Sequence, residues 1–258
     1  MAGGSIQTET AEWRRTREAA LRKDGGWLTL TGLFWLHEGP NPFGRDAGNE
    51  IVLTDGAAHA GSFELHGGKV TVKLDGAARE IQHDSADAAK VGRLSMYVIK
   101  RGEKYGIRLK DPESEARRNF KSIENFPAQE EYRVTAKWVA APLEMPILNM
   151  LGQTEGVPSP GYAVFQLHGK EYHLRPYLEE PDAKELFYVF RDLTSGKETY
   201  GAGRFFYSEF PRDGHVVLDF NRAYNPPCAF TPYATCPLPP AENRLAVRIE
   251  AGEKKYGH

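Results

Sequence analysis

The residues best suited to chemistry crowd into the last third of the sequence, LDFNRAYNPPCAFTPYATCPLPPAENRL at 218–245. A short apolar run at 215–220 reads as a strand, and its end delivers Asp219, Asn221 and Arg222 together. A guanidinium recognises carboxylate or phosphate through its planar fork, and a neighbouring carboxylate can orient that fork or act as a base. With Arg204 added, these four side chains could line a pocket for a small polar or anionic molecule. Tyr224 and Tyr233 would be its walls, and Arg45 and Arg118 more remote contributors. A second reading stands beside this one. Pro226, Pro227, Pro232, Pro237, Pro239 and Pro240 exclude a helix or a central strand. Yet Tyr224, Phe230, Tyr233 and Leu238 want burial, so the stretch must be an ordered loop whose backbone groups lean on side chains. Asp219, Asn221, Arg222 and Asn225 suit that task equally well.

Other constellations carry less. Cys228 and Cys236 are too widely spaced for a metal knuckle, and no second pair exists. They read as reduced, buried thiols, with a loop-closing disulfide as the alternative in an oxidising compartment. If Gly169-Lys170 is a two-residue turn, His168 faces Glu171 and His173 faces Gln166. Two imidazoles and a carboxylate on one face could bind zinc or iron, or could simply be a solvated face opposite Phe165, Leu167, Tyr172 and Leu174. Proline brackets Ser159, so this is no nucleophile elbow. No dinucleotide fingerprint or phosphate loop is present, and no motif names a cofactor.

The elements that must position these residues are strands. The 258 residues are 40% hydrophobic and 26% charged, ordinary for a globular chain, and 13 Phe with 12 Tyr favour sheet over helix. Residues 10–24 predict a helix capped by Thr8 or Thr10 and stopped at Asp24-Gly25-Gly26. From residue 49 onward strands alternate with Gly and Asp turns: 62–66 with 69–74, then 78–82, 96–101 with 105–110, and 132–139. Residues 162–168 pair with 171–177, followed by 186–193, 199–207, 215–220 and 245–250. Residues 145–160, rich in Pro and Gly, read as a connection or lid. The pattern predicts a mainly β protein with antiparallel sandwich or barrel-like sheets, an N-terminal helix and a Pro-rich ordered C-terminal loop. It is expected to be a single compact unit over 1–258, with a subdivision into a sandwich at 27–140 and a meander with the loop at 160–258. A net charge of −2 without a dense basic stripe argues against nucleic acid. No stretch is long and apolar enough for a membrane span and the start has no signal-peptide core, so the expected location is cytoplasmic.

Two resemblances add to this. GPNPFGRDAGNEIVLTDGAAHAG at 39–61 resembles the start of a forkhead-associated domain, with Gly44-Arg45, Asn49, Ile51, Leu53 and His59 in place. Ala57 and Ala58 stand where that family has polar phosphate-binding residues. The resemblance implies a sandwich-like N-terminal half acting as a non-catalytic interaction module. GWLTLTGLFWLHEGPNPFG, RLKDPESEARRNF, TYGAGRFF and the tail segment together resemble the prokaryotic family called domain of unknown function 1684. That resemblance implies no activity, but it makes the tail segment the family's signature.

Overall fold

A computed structural model describes residues 5–257. Its internal contacts divide the chain into two compact units. One joins the residues up to Ala20 to those from Lys121 onward, and the other is Leu21–Phe120. The chain is mainly β, with an N-terminal helix. Among the described residues no helix is long and apolar enough to cross a membrane.

The helix, α1 (Ile6–Arg22), begins four residues earlier than the sequence indicates. Its cap is Ser5, whose Oγ accepts from Thr8 N at 3.4 Å, and Ile6 and Thr10 are buried beneath it.

Unit Leu21–Phe120 holds β1 (Leu30–Trp35), β2 (Gly39–Gly44), β3 (Ile51–Val52), β4 (Gly61–His66), β5 (Lys69–Leu74), β6 (Ala77–Glu80), β7 (Ala88–Val91), β8 (Leu94–Arg101) and β9 (Lys104–Lys110). They form two sheets, ordered β1-β9-β8-β7 and β3-β2-β4-β5-β6. Both contribute to one apolar core: Phe43, Phe63, Val70 and Val72 from one, Leu94, Met96, Ile107 and Leu109 from the other. The hairpin expected at Gly67-Gly68 is present, with Val70 and Val72 buried and Lys69 and Lys73 exposed. The short helix α2 (Glu115–Asn119) is capped by Ser114, which accepts from Arg117 N.

The other unit holds β10 (Arg133–Leu148), β11 (Thr154–Leu167), β12 (Lys170–Leu174), β13 (Leu186–Phe190), β14 (Arg204–Ser208) and β15 (His215–Asp219). The first sheet runs β12-β11-β10-β15, and β13 pairs with β14. Every residue of β13 is buried, as a continuous Leu-Phe-Tyr-Val-Phe run requires. Tyr188, Phe190, Phe206 and Phe220 gather there, with Tyr188 and Phe206 stacked at 4.6 Å.

Three local expectations are corrected. Residues 145–160 are no lid: they are the far part of the β10–β11 hairpin, in register from Leu143↔Ser159 to Leu148↔Thr154. β15 accompanies β10 only from Arg133 to Lys137, so the remainder is a two-stranded ribbon. Each of its residues needs pairing on one side only, which lets Pro142, Pro146, Pro158 and Pro160 occupy it. Gly161 sits where that ribbon meets the sheet. A Cβ there would lie 2.3 Å from Val139 O and 2.7 Å from the Trp138 ring, so no larger residue fits without displacement. Second, the turn between β11 and β12 is His168-Gly169, with φ 50° and 75°, rather than Gly169-Lys170. A two-residue turn of this kind needs positive φ at both positions, which glycine favours at the second and lysine resists. Third, residues 245–250 form no strand. Leu245 N donates to Arg191 O and Leu193 N to Val247 O, but Ile249 N donates to the Asp192 carboxylate at 2.7 Å, so a side chain interrupts the ladder.

Candidate functional site

The side chains singled out in the tail separate into three places. Arg204, first residue of β14, is fully buried. Its Nη2 donates to Ile249 O at 3.0 Å and lies 3.3 Å from Asp192 Oδ1, and its Nη1 donates to Ala251 O. Asp192 also takes the hydroxyl of Thr194 at 2.8 Å. This arginine therefore ties the chain's last segment to the loop after β13.

Asp219, Asn221 and Arg222 do stay together, around Arg133 rather than Arg204. Asp219 Oδ2 accepts from Arg133 Nε at 3.0 Å and Nη2 at 2.9 Å, and Oδ1 accepts from Asn221 N at 3.1 Å. Arg133 reaches Glu9 of α1 as well, at 2.8 Å. Arg222 lies 3.4 Å from Asp219 with its side chain 40% exposed. Two cations and two carboxylates leave no net charge there. Asn221 is buried and clamps Gln129 in both directions, at 3.0 and 2.9 Å. Tyr224 belongs to a third place, where its ring stacks with Tyr207 at 6.3 Å and lies 4.5 Å beneath the Arg17 guanidinium. Tyr207 donates to Glu179 at 2.6 Å. Tyr233 is exposed. Arg45, His59 and Arg118 fall in the Leu21–Phe120 unit and are exposed.

The corrected turn undoes the histidine cluster. His173 lies 3.3 Å from Glu171, but His168 turns to Glu131 at 3.6 Å and to the Tyr132 ring. Among the described residues no group of three or more His, Cys, Asp or Glu is arranged to hold a metal. Cys228 and Cys236 are both reduced thiols, with Cys228 N donating to Cys236 Sγ at 3.2 Å. Hydrogen bonding to Cys236 holds the Cys228 thiol below its ordinary range, against the opposing effect of burial and with help from Tyr200.

A different part of the tail borders a cavity. Tyr162, His173, Leu174, Arg175, Glu242 and Asn243 line a half-open pocket of about 230 Å³, roughly the space of seven or eight waters. Arg175 leaves the end of β12 just before Pro176, and Asn243 holds it there. Arg175 N donates to Asn243 Oδ1 at 2.9 Å, and Asn243 Nδ2 donates to Arg175 O and Val189 O at 2.8 and 2.9 Å. The side chain is 9% exposed. Nη1 donates to Ala141 O at 2.9 Å and to Ser159 Oγ at 3.4 Å, and Nε to Glu242 Oε2 at 3.3 Å. Nη2 makes no hydrogen bond among the described residues. The guanidinium sits 5.1 Å from the Tyr162 ring, which in turn lies 5.3 Å from the His173 imidazole. The signal for Arg175 was the one that drew attention to Arg222, an arginine released at a strand end. It was hidden because its partners lie 16 to 68 residues away in sequence.

No curated protein matches the chain. A solved structure of an uncharacterized protein from Haloarcula marismortui is 31% identical, covering 54% of this chain and 78% of that one, with a TM-score of 0.44. The family model described as protein of unknown function (DUF1684) matches residues 118–254, and the chain belongs to that family.

Proposed function

We propose that the unit carrying the tail segment binds a small anion at Arg175, at the edge of the C-terminal signature loop. One observation carries this: a nearly buried guanidinium has Nε and Nη1 fixed by protein acceptors and Nη2 without one, beside a cavity of about 230 Å³. Nη2 is left open to the pocket, where a charge-assisted hydrogen bond to an anionic oxygen is of the strong kind. Tyr162 and His173 supply ring surface to the same pocket. Glu242 is half-exposed and meets Arg175 by one long contact, so its carboxylate can yield to a ligand.

The test is titration of the full chain with sodium acetate and with phosphate, followed by backbone amide shifts of residues 162–175 and 241–244. Saturable, salt-sensitive binding is expected, and Arg175→Gln should abolish it. Arg175 also braces Ala141 and Ser159, so a second variant separates binding from folding. Glu242→Gln removes a competing charge at the rim and should tighten binding about fivefold, a change of ~1 kcal/mol. Equal binding by wild type and Arg175→Gln, or no binding by either wild type or Glu242→Gln, would refute the proposal.

A second reading concerns the other unit. Arg45 and His59 are both exposed, on segments joined by Arg45 N to Ala57 O at 2.9 Å and Asp46 N to Ala58 O at 3.0 Å. That adjacency favours an interaction module of the forkhead-associated kind, binding phosphothreonine peptides. A phosphothreonine peptide library that returns no binder would end it.

A further inference from the structure

We infer that the anion held at Arg175 is the head of an amphiphile whose hydrocarbon chain lies along the outer face of β11; this rests on the reading of Arg175 given above. Alternate residues of a strand share a face, so Gly156, Pro158, Pro160 and Tyr162 form one row. Their neighbours Ser159, Gly161 and Ala163 are buried on the other side. The row passes from the polar cavity, where Tyr162 lies under Arg175, into an open groove of about 590 Å³ walled by Pro142, Leu143, Pro158, Pro160 and Leu178. The two spaces are linked through Arg175, whose Nη1 donates to Ser159, a residue that also borders the groove, and to Ala141 O beside Pro142.

The chemistry of this groove selects hydrocarbon. Proline has no N–H, so Pro142, Pro158 and Pro160 present ring carbons and no backbone donors. Leu143 is 44% exposed, a large apolar side chain turned to solvent. Charge fixes the direction of the occupant. Arg175 stands at one end, and at the other Glu144 lies over Gly156, its Oε1 2.0 Å from where a Cβ would be. An anionic head is therefore drawn to the Arg175 end and repelled from the Glu144 end. From Tyr162 to Pro158 is four residues of strand, about 13 Å. An extended alkyl chain, at about 1.25 Å per carbon, needs about ten or eleven carbons to cover that distance.

The experiment is calorimetric titration of the full chain with straight-chain carboxylates from acetate to dodecanoate, each below its micelle concentration. Affinity should rise about twofold per methylene, half the logarithmic gain of full burial, and level off near ten carbons. Octyl phosphate in parallel distinguishes a carboxylate head from a phosphate head; either one binding at least tenfold more tightly than acetate supports the inference. Leu143→Asp changes an exposed residue and should weaken octanoate at least tenfold while leaving acetate unchanged. Acetate binding that is lost in Arg175→Gln but does not strengthen with chain length would overturn the amphiphile and leave the anion site standing. Octanoate binding indifferent to Arg175→Gln would overturn both. Tighter binding of a peptide ending in leucine than of octanoate would also overturn the inference, since it would make the occupant a polypeptide terminus.

Discussion

Replacing Arg204 with methionine should destabilise the unit that contains it by about 3–5 kcal/mol. The side chains of Arg204 and Asp192 are both fully buried, so the substitution leaves a carboxylate in the core without its cation. It also strands the carbonyls of Ile249 and Ala251, each of which costs about 1–3 kcal/mol when buried and unpaired. Relief from burying the guanidinium offsets part of this, as do the hydrogen bonds that Asp192 keeps from Thr194 and Ile249 N. Methionine fills most of the vacated volume and retains contact with the Phe190 ring, 5.3 Å from the guanidinium carbon. With a urea slope of about 2 kcal/mol/M, the midpoint should fall by ~1.5–2.5 M. Urea unfolding followed by circular dichroism measures the shift. Hydrogen exchange with mass spectrometry should place the loss in peptides from 121–257, with 21–120 protected as in wild type. A midpoint change below about 0.5 M would refute the reasoning, because it would mean that Arg204 is not holding the last segment in place.

Three further outcomes are expected. Burial holds the Glu253 carboxyl above the ordinary carboxylate range, despite Arg17 at 3.2 Å. A raised folded-state pKa contributes stability that is full below the unfolded value of about 4.3 and is lost as pH rises through the folded value. The stability of wild type minus that of Glu253→Gln should therefore shrink as pH rises above about 4.3 in urea titrations; a difference that grows would contradict it. Gly252→Ala should cost more than ~2 kcal/mol in the same assay. Its φ is +77° and a Cβ would lie 2.3 Å from Ala223 O, so a near-neutral result would show that the backbone relaxes there. Oxidised glutathione should join Cys228 to Cys236 within one chain, read as a mass loss of about two hydrogens, with a gain of about 2–3 kcal/mol from closing the short loop. Dimer formation or glutathione adducts instead would show that the two sulfurs do not meet.

Much of the fold was legible because its signals are local. The Gly67-Gly68 hairpin, the alternation of Val70 and Val72 with lysines, and the apolar run Leu186–Phe190 each state their own burial. The errors came where a distant partner overrode a local signal. Proline at 146, 158 and 160 reads as a loop, but a ribbon paired on one side accepts it. Residues 245–250 read as a strand, but the Asp192 carboxylate takes the place of a neighbouring backbone.

The sequence by itself determined that the chain is mainly β, that it begins with a helix, and that its proline-dense tail must be ordered by side chains rather than by a ladder. Those follow from periodicity, propensity and the missing proline N–H, all properties of a few adjacent residues. Which arginine turns an open donor to a pocket was decided only by tertiary structure. Arg204, Arg133 and Arg175 look alike along the chain. Asp192 and two carbonyls hold both terminal nitrogens of the first and leave its buried Nε without a partner, and Asp219 with Glu9 holds Nε and Nη2 of the second. The third is left with Nη2 open beside a cavity. Pairing of a buried charge depends on what approaches from elsewhere in the chain, and no spacing rule in the sequence records it.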